Sequence, residues 1–348
     1  MRVVQLGPYS PPHGGIQAHV VALREFLQEQ GVVCDVIDLN RLRKTDGAGV
    51  YGPRNAAELF WLLLRLPADV LHLHIGGNLT TRLLALSLVC NWRPGRKSVL
   101  TFHSGGYPSS PEGQSASPQT IRGRILSQFD RVIGVNQDLV DVFTRYGLPA
   151  ANVSLIQPHA LPAGPPEIEL PPSLSTFFSR HHPVLLSVGL LEPEYDLPLQ
   201  VEVLGRLIDQ FPQIGLIMIG SGSLEAELRQ LIEEKSYGAH ILLTGDVDRT
   251  VTLRVIADCD LFLRTTLFDG DSISLREALH FGVPVIATDR APRPEGVCVI
   301  PAEDLEQLEL HIRQILSEER VSQPKGVPDT RNLEAVLRLY QEMLAERK

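Results

Sequence analysis

Acidic, hydroxyl and glycine residues are concentrated in one stretch of the sequence, residues 262–288. Asp269 precedes a predicted helix that begins near Ser272, and Glu277 lies on the second turn of that helix. The first backbone N–H groups of a helix have no partner within it, and they form the positive end of its dipole. The N–H groups of 272–275 are therefore predicted to bind an anion such as a diphosphate.

A second candidate site lies in the glycine-rich segment 7–16, between the first predicted strand and the first predicted helix. Gly14 and Gly15 lack side chains, so a phosphate group could approach the backbone N–H groups at the start of that helix. The spacing does not match the GxGxxG pattern of dinucleotide-binding proteins. Turn glycines in an ordinary loop would give the same residues, so both interpretations stay open.

Three histidines lie towards the ends of predicted strands: His72 and His74 in one strand, and His103 in the next. His72 and His74 share a face because side chains two positions apart point the same way, so they could bind a metal ion together. The neighbouring sequence supplies no third ligand, and a buried, hydrogen-bonded histidine is the alternative. His103 precedes a Ser-Gly-Gly break, which is predicted to leave its ring at the edge of the sheet.

The remaining acids and cysteines do not indicate a metal centre. Asp-x-Asp triples, which can hold a divalent ion, occur at 246–248, 258–260 and 269–271. Chance accounts for repeated triples in an acidic half, so we predict no metal site. The four cysteines are widely spaced without a CxxC pair, which favours neither zinc nor disulfides and fits a reducing compartment.

Two domains are expected for 348 residues. Apolar runs alternate with amphipathic stretches in two series, which predicts an α/β fold with two Rossmann-like, doubly wound parallel sheets facing a central cleft. Prolines between 158 and 183 are too dense for a helix interior or a central strand. We expect a first domain at 1–163, a proline-rich linker at 164–182, a second domain at 183–330, and a final helix near 331–346 that packs back on the first domain.

The net charge of −9 is distributed unevenly. Residues 1–163 carry 15 Lys and Arg against 11 Asp and Glu, whereas the remainder carries 17 against 30. Contact of the basic half with an anionic membrane is one interpretation, and drift in surface composition is the other. No apolar run reaches the ~20 residues of a spanning helix, and no export signal is visible. We therefore expect a cytoplasmic protein, peripheral at the inner face of the membrane through three basic clusters: Arg41, Arg43 and Lys44; Arg93, Arg96 and Lys97; Arg122 and Arg124.

The segment 262–288 resembles the acidic-x7-Glu signature of glycosyltransferase family 4, whose members are retaining enzymes of GT-B fold. Asp269 stands where the first acid is usually Glu, and Glu277 is the second acid. The continuation EAL-x-x-GVPVIAT matches closely. Resemblance extends over nearly the whole chain, through the GGI loop at 14–16, the DVLHLH and TFHS strands, Ser187-Val-Gly189 and Ile219-Gly220-Ser-Gly222.

The resemblance implies a retaining hexosyl- or related glycosyltransferase that uses a UDP- or GDP-sugar. Its acceptor would be a glycan, a lipid-linked molecule or a small molecule in cell-envelope or exopolysaccharide synthesis. It implies no metal or other cofactor and no nucleic acid. Glu277 would bind the ribose hydroxyls, and Asp269 and His103 would contact the transferred sugar. The predicted donor site also includes Gly14, Gly15, Gly189, Gly220, Gly222, Arg264, Ser272, Ser274 and Leu275.

The sequence departs from the family pattern after the first strand of the second domain. Family members commonly carry an Arg and a Lys there that bind the diphosphate, but this chain has Leu190 and Tyr195. Two charge-assisted contacts, worth about 1.5 to 3 kcal/mol each, are thereby lost. Arg264 is the candidate substitute. A sugar-nucleotide epimerase or hydrolase of the same fold is one alternative function, and a non-catalytic sugar-nucleotide binding protein is another.

Overall fold

The structure is a computed structural model that describes residues 1–9, 15–40, 49–92, 95–161, 164–269, 272–318 and 329–346. The chain forms two compact units. Unit 1 contains β1, residues 16–160 and the final helix, and unit 2 contains residues 161–329. Gly14 and the basic residues Arg41, Arg43, Lys44 and Arg93 lie outside the described residues.

Unit 1 is built on a seven-stranded parallel sheet. Its central strands are apolar and buried on both faces, as a sheet covered by helices on both sides requires. The strand order is β3-β2-β1-β4-β5-β6-β7, so the direction of winding reverses between β1 and β4. The strands are β1 (Arg2–Gly7), β2 (Val33–Asp38), β3 (Val50–Tyr51), β4 (Val70–Ile75), β5 (Lys97–Phe102), β6 (Arg131–Gly134) and β7 (Val153–Leu155).

Apolar residues at helical spacing fix the helices of unit 1. In α1 (Gly15–Glu29), Val20, Leu23 and Leu27 are buried against the sheet. Gly31 ends this helix with a φ of 72°, a conformation that glycine adopts without strain. The other helices are α2 (Ala56–Arg65), α3 (Thr81–Asn91), α4 (Pro111–Gln114), α5 (Ile121–Leu126) and α6 (Gln137–Arg145).

Unit 2 is built on a six-stranded parallel sheet in the order β10-β9-β8-β11-β12-β13. A separate apolar cluster packs on each face of the sheet. Its strands are β8 (Val184–Val188), β9 (Gly215–Ile219), β10 (Ile241–Gly245), β11 (Leu261–Arg264), β12 (Val285–Thr288) and β13 (Val297–Ile300). Its helices are α7 (Pro172–Arg180), α8 (Leu197–Leu207), α9 (Glu225–Glu233), α10 (Arg249–Asp258), α11 (Ile273–His280) and α12 (Leu305–Ser317).

The final helix, α13 (Arg331–Ala345), belongs to the core of unit 1. Leu333, Val336, Tyr340 and Met343 are buried in the same apolar cluster as residues of α1 and β4. The Tyr340 hydroxyl also forms a hydrogen bond with the imidazole Nδ1 of His72 on β4. Unit 1 is therefore discontinuous in sequence.

The linker prediction is wrong where α7 forms. Pro171 and Pro172 occupy the N-cap and the first helical position, where a missing N–H is tolerated. Leu174 and Phe177 then bury themselves against unit 2, so this segment is part of its core. The edge strand β3 has only two residues, too few to show a period in the sequence. No helix in the described part of the chain combines the length and apolarity needed to cross a membrane.

Candidate active site

The carboxyl end of β11 places Arg264 beside Asp269 in unit 2. Arg264 forms a two-pronged ion pair with Asp269, with Nε···Oδ2 at 2.9 Å and Nη2···Oδ1 at 2.8 Å. Arg293, in the loop after β12, donates from Nη1 to Asp269 Oδ2 at 2.8 Å. Sequence analysis did not single out Arg293, whose only sequence signal is its place in a loop after a strand.

The two arginines control the charge state of Asp269. Burial alone would raise the pKa of its carboxyl, but the ion pairs with Arg264 and Arg293 outweigh burial and hold that pKa well below its usual range. Asp269 is therefore ionised throughout the physiological pH range. Its side chain is only 7% exposed, so this is a buried ion-pair cluster rather than a surface bridge.

Tyr195 is the second residue whose role the sequence did not reveal, because there it shows only as the loss of a cation. The Arg264 guanidinium lies over the Tyr195 ring, 4.7 Å from its centroid. A β-carbon at Gly189 would overlap the same ring, so a glycine is required there for the ring to fit. Tyr195 thus lies against Gly189 and Arg264, at one of the two positions where the family's cations are absent.

Glu277 lies on α11, and its side chain is 2% exposed. It pairs with Arg249 at the start of α10, at an Nη2···Oε1 distance of 2.5 Å. Arg249 is the third site residue that the sequence did not reveal, because it lies 28 positions from Glu277. The ion pair with Arg249 holds the Glu277 carboxylate in one orientation. A carboxylate fixed in this way can accept hydrogen bonds from hydroxyl groups beside it.

Helix α11 begins where its sequence predicts. Ser272 is the N-cap, and its Oγ accepts a hydrogen bond from the N–H of Leu275 at 3.4 Å. The Ser274 hydroxyl donates to the Val188 carbonyl at 3.5 Å, which ties the helix start to the end of β8. The structure therefore brings Ser272, Ser274 and Leu275 to the carboxyl edge of the unit 2 sheet, with Arg264 and Asp269.

The predicted glycines of unit 2 form close contacts between strand ends. The Gly189 N–H donates to the Ile219 carbonyl at 3.0 Å, and the Gly220 N–H donates to the Gly245 carbonyl at 3.0 Å. Gly220 has a φ of 136°, and a β-carbon at Gly222 would overlap the Leu191 backbone. The packing of these loops alone explains why glycine stands at these positions.

In unit 1, His103 follows β5 and belongs to a cluster with His19, His72 and His74. His74 Nδ1 lies 3.3 Å from His103 Nε2. The ring centroids of His19, His74 and His103 are 5.4 to 5.6 Å apart. Sequence analysis missed His19, which α1 buries at a single helical position with no motif to mark it.

Burial keeps these imidazoles neutral. It lowers the pKa of His103 well below the usual value, and the positive charges that His19 and His72 would carry lower it further. The pKa values of His72 and His74 are lowered for the same reason. A neutral His103 offers one donor and one acceptor, which suits a hydrogen bond with a sugar hydroxyl.

His72 fits the alternative of a buried, satisfied histidine. Its Nδ1 pairs with the Tyr340 hydroxyl, and its Nε2 lies 2.6 Å from Thr101 Oγ1. Within the described ranges no group of three or more His, Cys, Asp or Glu side chains is arranged to hold a metal ion. Gly15 is the first residue of α1, as the sequence predicts.

Comparisons with known proteins cover both units. A family model described as Glycosyltransferase Family 4 matches residues 13–159, and one described as Glycosyl transferases group 1 matches residues 176–326. The phosphatidyl-myo-inositol mannosyltransferase of Mycolicibacterium smegmatis is 23% identical over 313 residues, which cover 83% of this chain and 76% of that protein.

Solved structures show the same fold over the whole chain. Sucrose-phosphate synthase from Thermosynechococcus elongatus has a TM-score of 0.71 at 17% identity, covering 99% of this chain and 100% of its own. Anabaena HepE in complex with UDP-glucose has a TM-score of 0.68 at 15% identity, covering 99% and 100%.

Proposed function

This chain belongs to the group 1 glycosyltransferases of GT-B fold, and we propose that it transfers a sugar from a UDP- or GDP-sugar with retention of anomeric configuration. The observation that carries the proposal is the carboxyl edge of the unit 2 sheet. There the Ser274 hydroxyl at the start of α11 and the Arg264 guanidinium donate to the same Val188 carbonyl, and Arg293 joins Arg264 on Asp269. Glu277, held by Arg249, follows on the second turn of α11. The helix N-terminus and arginines suit a diphosphate, and the carboxylate suits ribose hydroxyls.

The proposed chemistry is a displacement on one face of the sugar. The bond between the anomeric carbon and the diphosphate oxygen breaks, and its electron pair leaves with the nucleoside diphosphate. The acceptor hydroxyl oxygen bonds to the anomeric carbon from the same face, and its proton passes to the departing phosphate oxygen. No side-chain nucleophile is needed, because positive groups stabilise the leaving diphosphate.

His103 and Glu277 have separate roles in this proposal. Glu277, held by Arg249, accepts hydrogen bonds from the ribose hydroxyls of the donor. His103 is neutral and hydrogen-bonds the transferred sugar near its reactive carbon. We propose that no metal ion takes part, since the arginines and the helix N-terminus supply the positive charge.

Release of UDP or GDP from a panel of nucleotide sugars tests the proposal, with the anomeric configuration of the product read by NMR. A retained configuration and unchanged activity in EDTA are the expected results. Inversion would refute the same-face mechanism. Loss of activity in EDTA with recovery in manganese would show that a metal ion takes part and would indicate the Asp-x-Asp triples as its ligands.

The acceptor is proposed to be lipid-linked or part of an envelope glycan, reached by peripheral contact of unit 1 with a membrane. Three described members of the predicted basic clusters have partners within the fold: Arg96 donates to the Leu63 carbonyl, Lys97 pairs with Asp130 at 2.8 Å, and Arg122 pairs with Glu112 at 3.5 Å. Exposed aromatic side chains of unit 1 supply a better surface: Trp61 is 51% exposed, and Trp92 is 65% exposed with its ring 5.9 Å from that of Phe60, the neighbour of Trp61 on α2. Tryptophan side chains favour the membrane interface.

Sedimentation with anionic and neutral vesicles tests this contact. Replacing Trp61 and Trp92 together with alanine should reduce the pelleted fraction. Replacing the exposed Leu310 of unit 2 with alanine is the control and should leave that fraction unchanged. Absence of the parent protein from the vesicle pellet at low salt would refute membrane contact.

A further inference from the structure

In the cluster formed by Arg264, Asp269 and Arg293, further hydrogen bonds fix both guanidinium groups in place. Each guanidinium also donates to a carbonyl at the end of a strand: Arg264 Nη1 to the Val188 carbonyl of β8 at 3.3 Å, and Arg293 Nε to the Thr288 carbonyl of β12 at 2.8 Å. Arg293 further donates from Nη2 to Thr266 Oγ1 at 3.3 Å. Strands β8, β11 and β12 therefore all contribute to fixing two positive side chains at one edge of the sheet.

The cluster carries more positive than negative charge. Two guanidinium groups face one carboxylate, and among the described residues Asp269 is the only acid paired with either arginine. The arginine side chains are 10% and 4% exposed, so water screens the surplus poorly. A buried, uncompensated charge is costly, and an anion at the cluster would offset that cost.

The ring of Tyr195 supports the Arg264 guanidinium in this cluster. The aromatic ring under the guanidinium supports it without neutralising it, because a cation over a ring face is attracted while its charge is retained. Tyr195 occupies a position of the missing cations, so the positive charge is delivered from β11 instead of from the loop after β8.

We propose that this cluster is the anion-binding element for the donor diphosphate, with Arg264 and Arg293 supplying the charge and Asp269 and Tyr195 positioning them. The proposal rests on the function proposed above. It gives Asp269 a role that the family resemblance does not imply: its oxygens hold arginines, and it acts on the donor through them. Asp269 is therefore a positioning residue rather than a sugar ligand.

Binding of UDP, GDP and their nucleosides, measured by calorimetry, tests the cluster. Arg264→Gln and Arg293→Gln should each weaken nucleoside diphosphate binding by about 10-fold to 100-fold, the loss expected for a charge-assisted contact. Affinity for the matching nucleoside should not change. Arg290→Gln is the matched control, since Arg290 lies in the same loop with a side chain 48% exposed, and it should bind as the parent does.

The role of Asp269 has its own readout. Asp269→Asn should weaken binding of the nucleoside diphosphate and of the nucleotide sugar by the same factor, because it acts on both through the arginines. A loss confined to the nucleotide sugar would make Asp269 a sugar ligand and refute its positioning role. Unchanged binding of both would refute that role as well.

The outcomes separate the inference from the proposed function. If the parent binds UDP or GDP and both arginine variants bind equally well, the inference fails alone. If the parent binds neither UDP nor GDP, the proposed UDP- or GDP-sugar donor is wrong, and the inference about the cluster is refuted as well. Circular dichroism checks that each variant is folded. Should the variants not fold, inorganic pyrophosphate must compete with the nucleoside diphosphate on the parent protein, and failure to compete overturns the inference.

Discussion

Replacing Asp269 with asparagine should strongly destabilise unit 2, because it removes the counter-charge of two buried guanidinium groups. The three side chains are 4% to 10% exposed, and their ion-pair distances are 2.8 to 2.9 Å. The stability contributions of solvent-exposed ion pairs therefore do not apply to this cluster. Removing one partner from a buried pair costs about 3 to 5 kcal/mol. We expect the free energy of unfolding of unit 2 to fall by that amount.

The control is a surface pair of the same unit. Arg254 and Asp258 lie one helical turn apart with side chains 35% and 32% exposed, so Asp258→Asn should cost only about 0.3 to 0.5 kcal/mol. Both variants would be unfolded in urea and followed by circular dichroism, which reports both units. The chain's two tryptophans, Trp61 and Trp92, lie in unit 1, so their fluorescence follows that unit.

The expected result is a large shift of the unit 2 transition in Asp269→Asn, with the tryptophan transition unchanged. A loss below about 1 kcal/mol would place the pair energy in the range of surface bridges and refute the reasoning from burial. So would a loss equal to that of Asp258→Asn, since the two pairs differ chiefly in their exposure.

Three further predictions concern Glu277 of unit 2 and two histidines of unit 1. Glu277→Ala should weaken nucleoside diphosphate binding in calorimetry, since the ribose loses a charged acceptor; equal affinity would remove Glu277 from the site. His103→Ala should lower kcat and spare nucleotide affinity, and turnover within about twofold of the parent would mean that the ring only packs. Burial lowers the pKa of His19 to about 4. As pH falls below about 6.5 the unfolded chain therefore binds a proton that the folded chain does not, and acid favours unfolding. Between pH 7 and pH 5 the contribution is about 2 kcal/mol, so the tryptophan-detected unfolding of His19→Gln should depend less on pH; the parent's pH dependence in that variant would contradict this.

The sequence predicts the parts of the fold that local patterns encode. Ser272 caps α11 because a hydroxyl there satisfies an N–H of the first turn, and this signal is local. The apolar strand β4 is buried on both faces, as its composition indicates. The fold class and the family follow from such patterns in order along the chain.

Long-range partners could not be read from the sequence. Arg293 reaches Asp269 across 24 positions, and its role depends on a loop conformation that no local pattern specifies. In the sequence, Tyr195 is visible only as the absence of a family cation. Its contact with the Arg264 guanidinium is visible only in the structure. The prediction of a linker in the proline-rich segment failed for a related reason. Whether Pro172 excludes a helix or starts one depends on which turn it occupies.

The position of α13 in unit 1 affects the order in which the protein can be assembled during synthesis. The ribosome makes all of unit 2 before it makes the helix that completes unit 1. Until then the apolar cluster around Val3 and Leu23 lacks one side, and His72 lacks the hydroxyl of Tyr340. Unit 2 can fold as soon as it emerges, whereas the histidine cluster reaches its final arrangement only afterwards. Synthesis that stops after unit 2 but before α13 thus yields a chain whose second unit can form but whose first unit is unfinished.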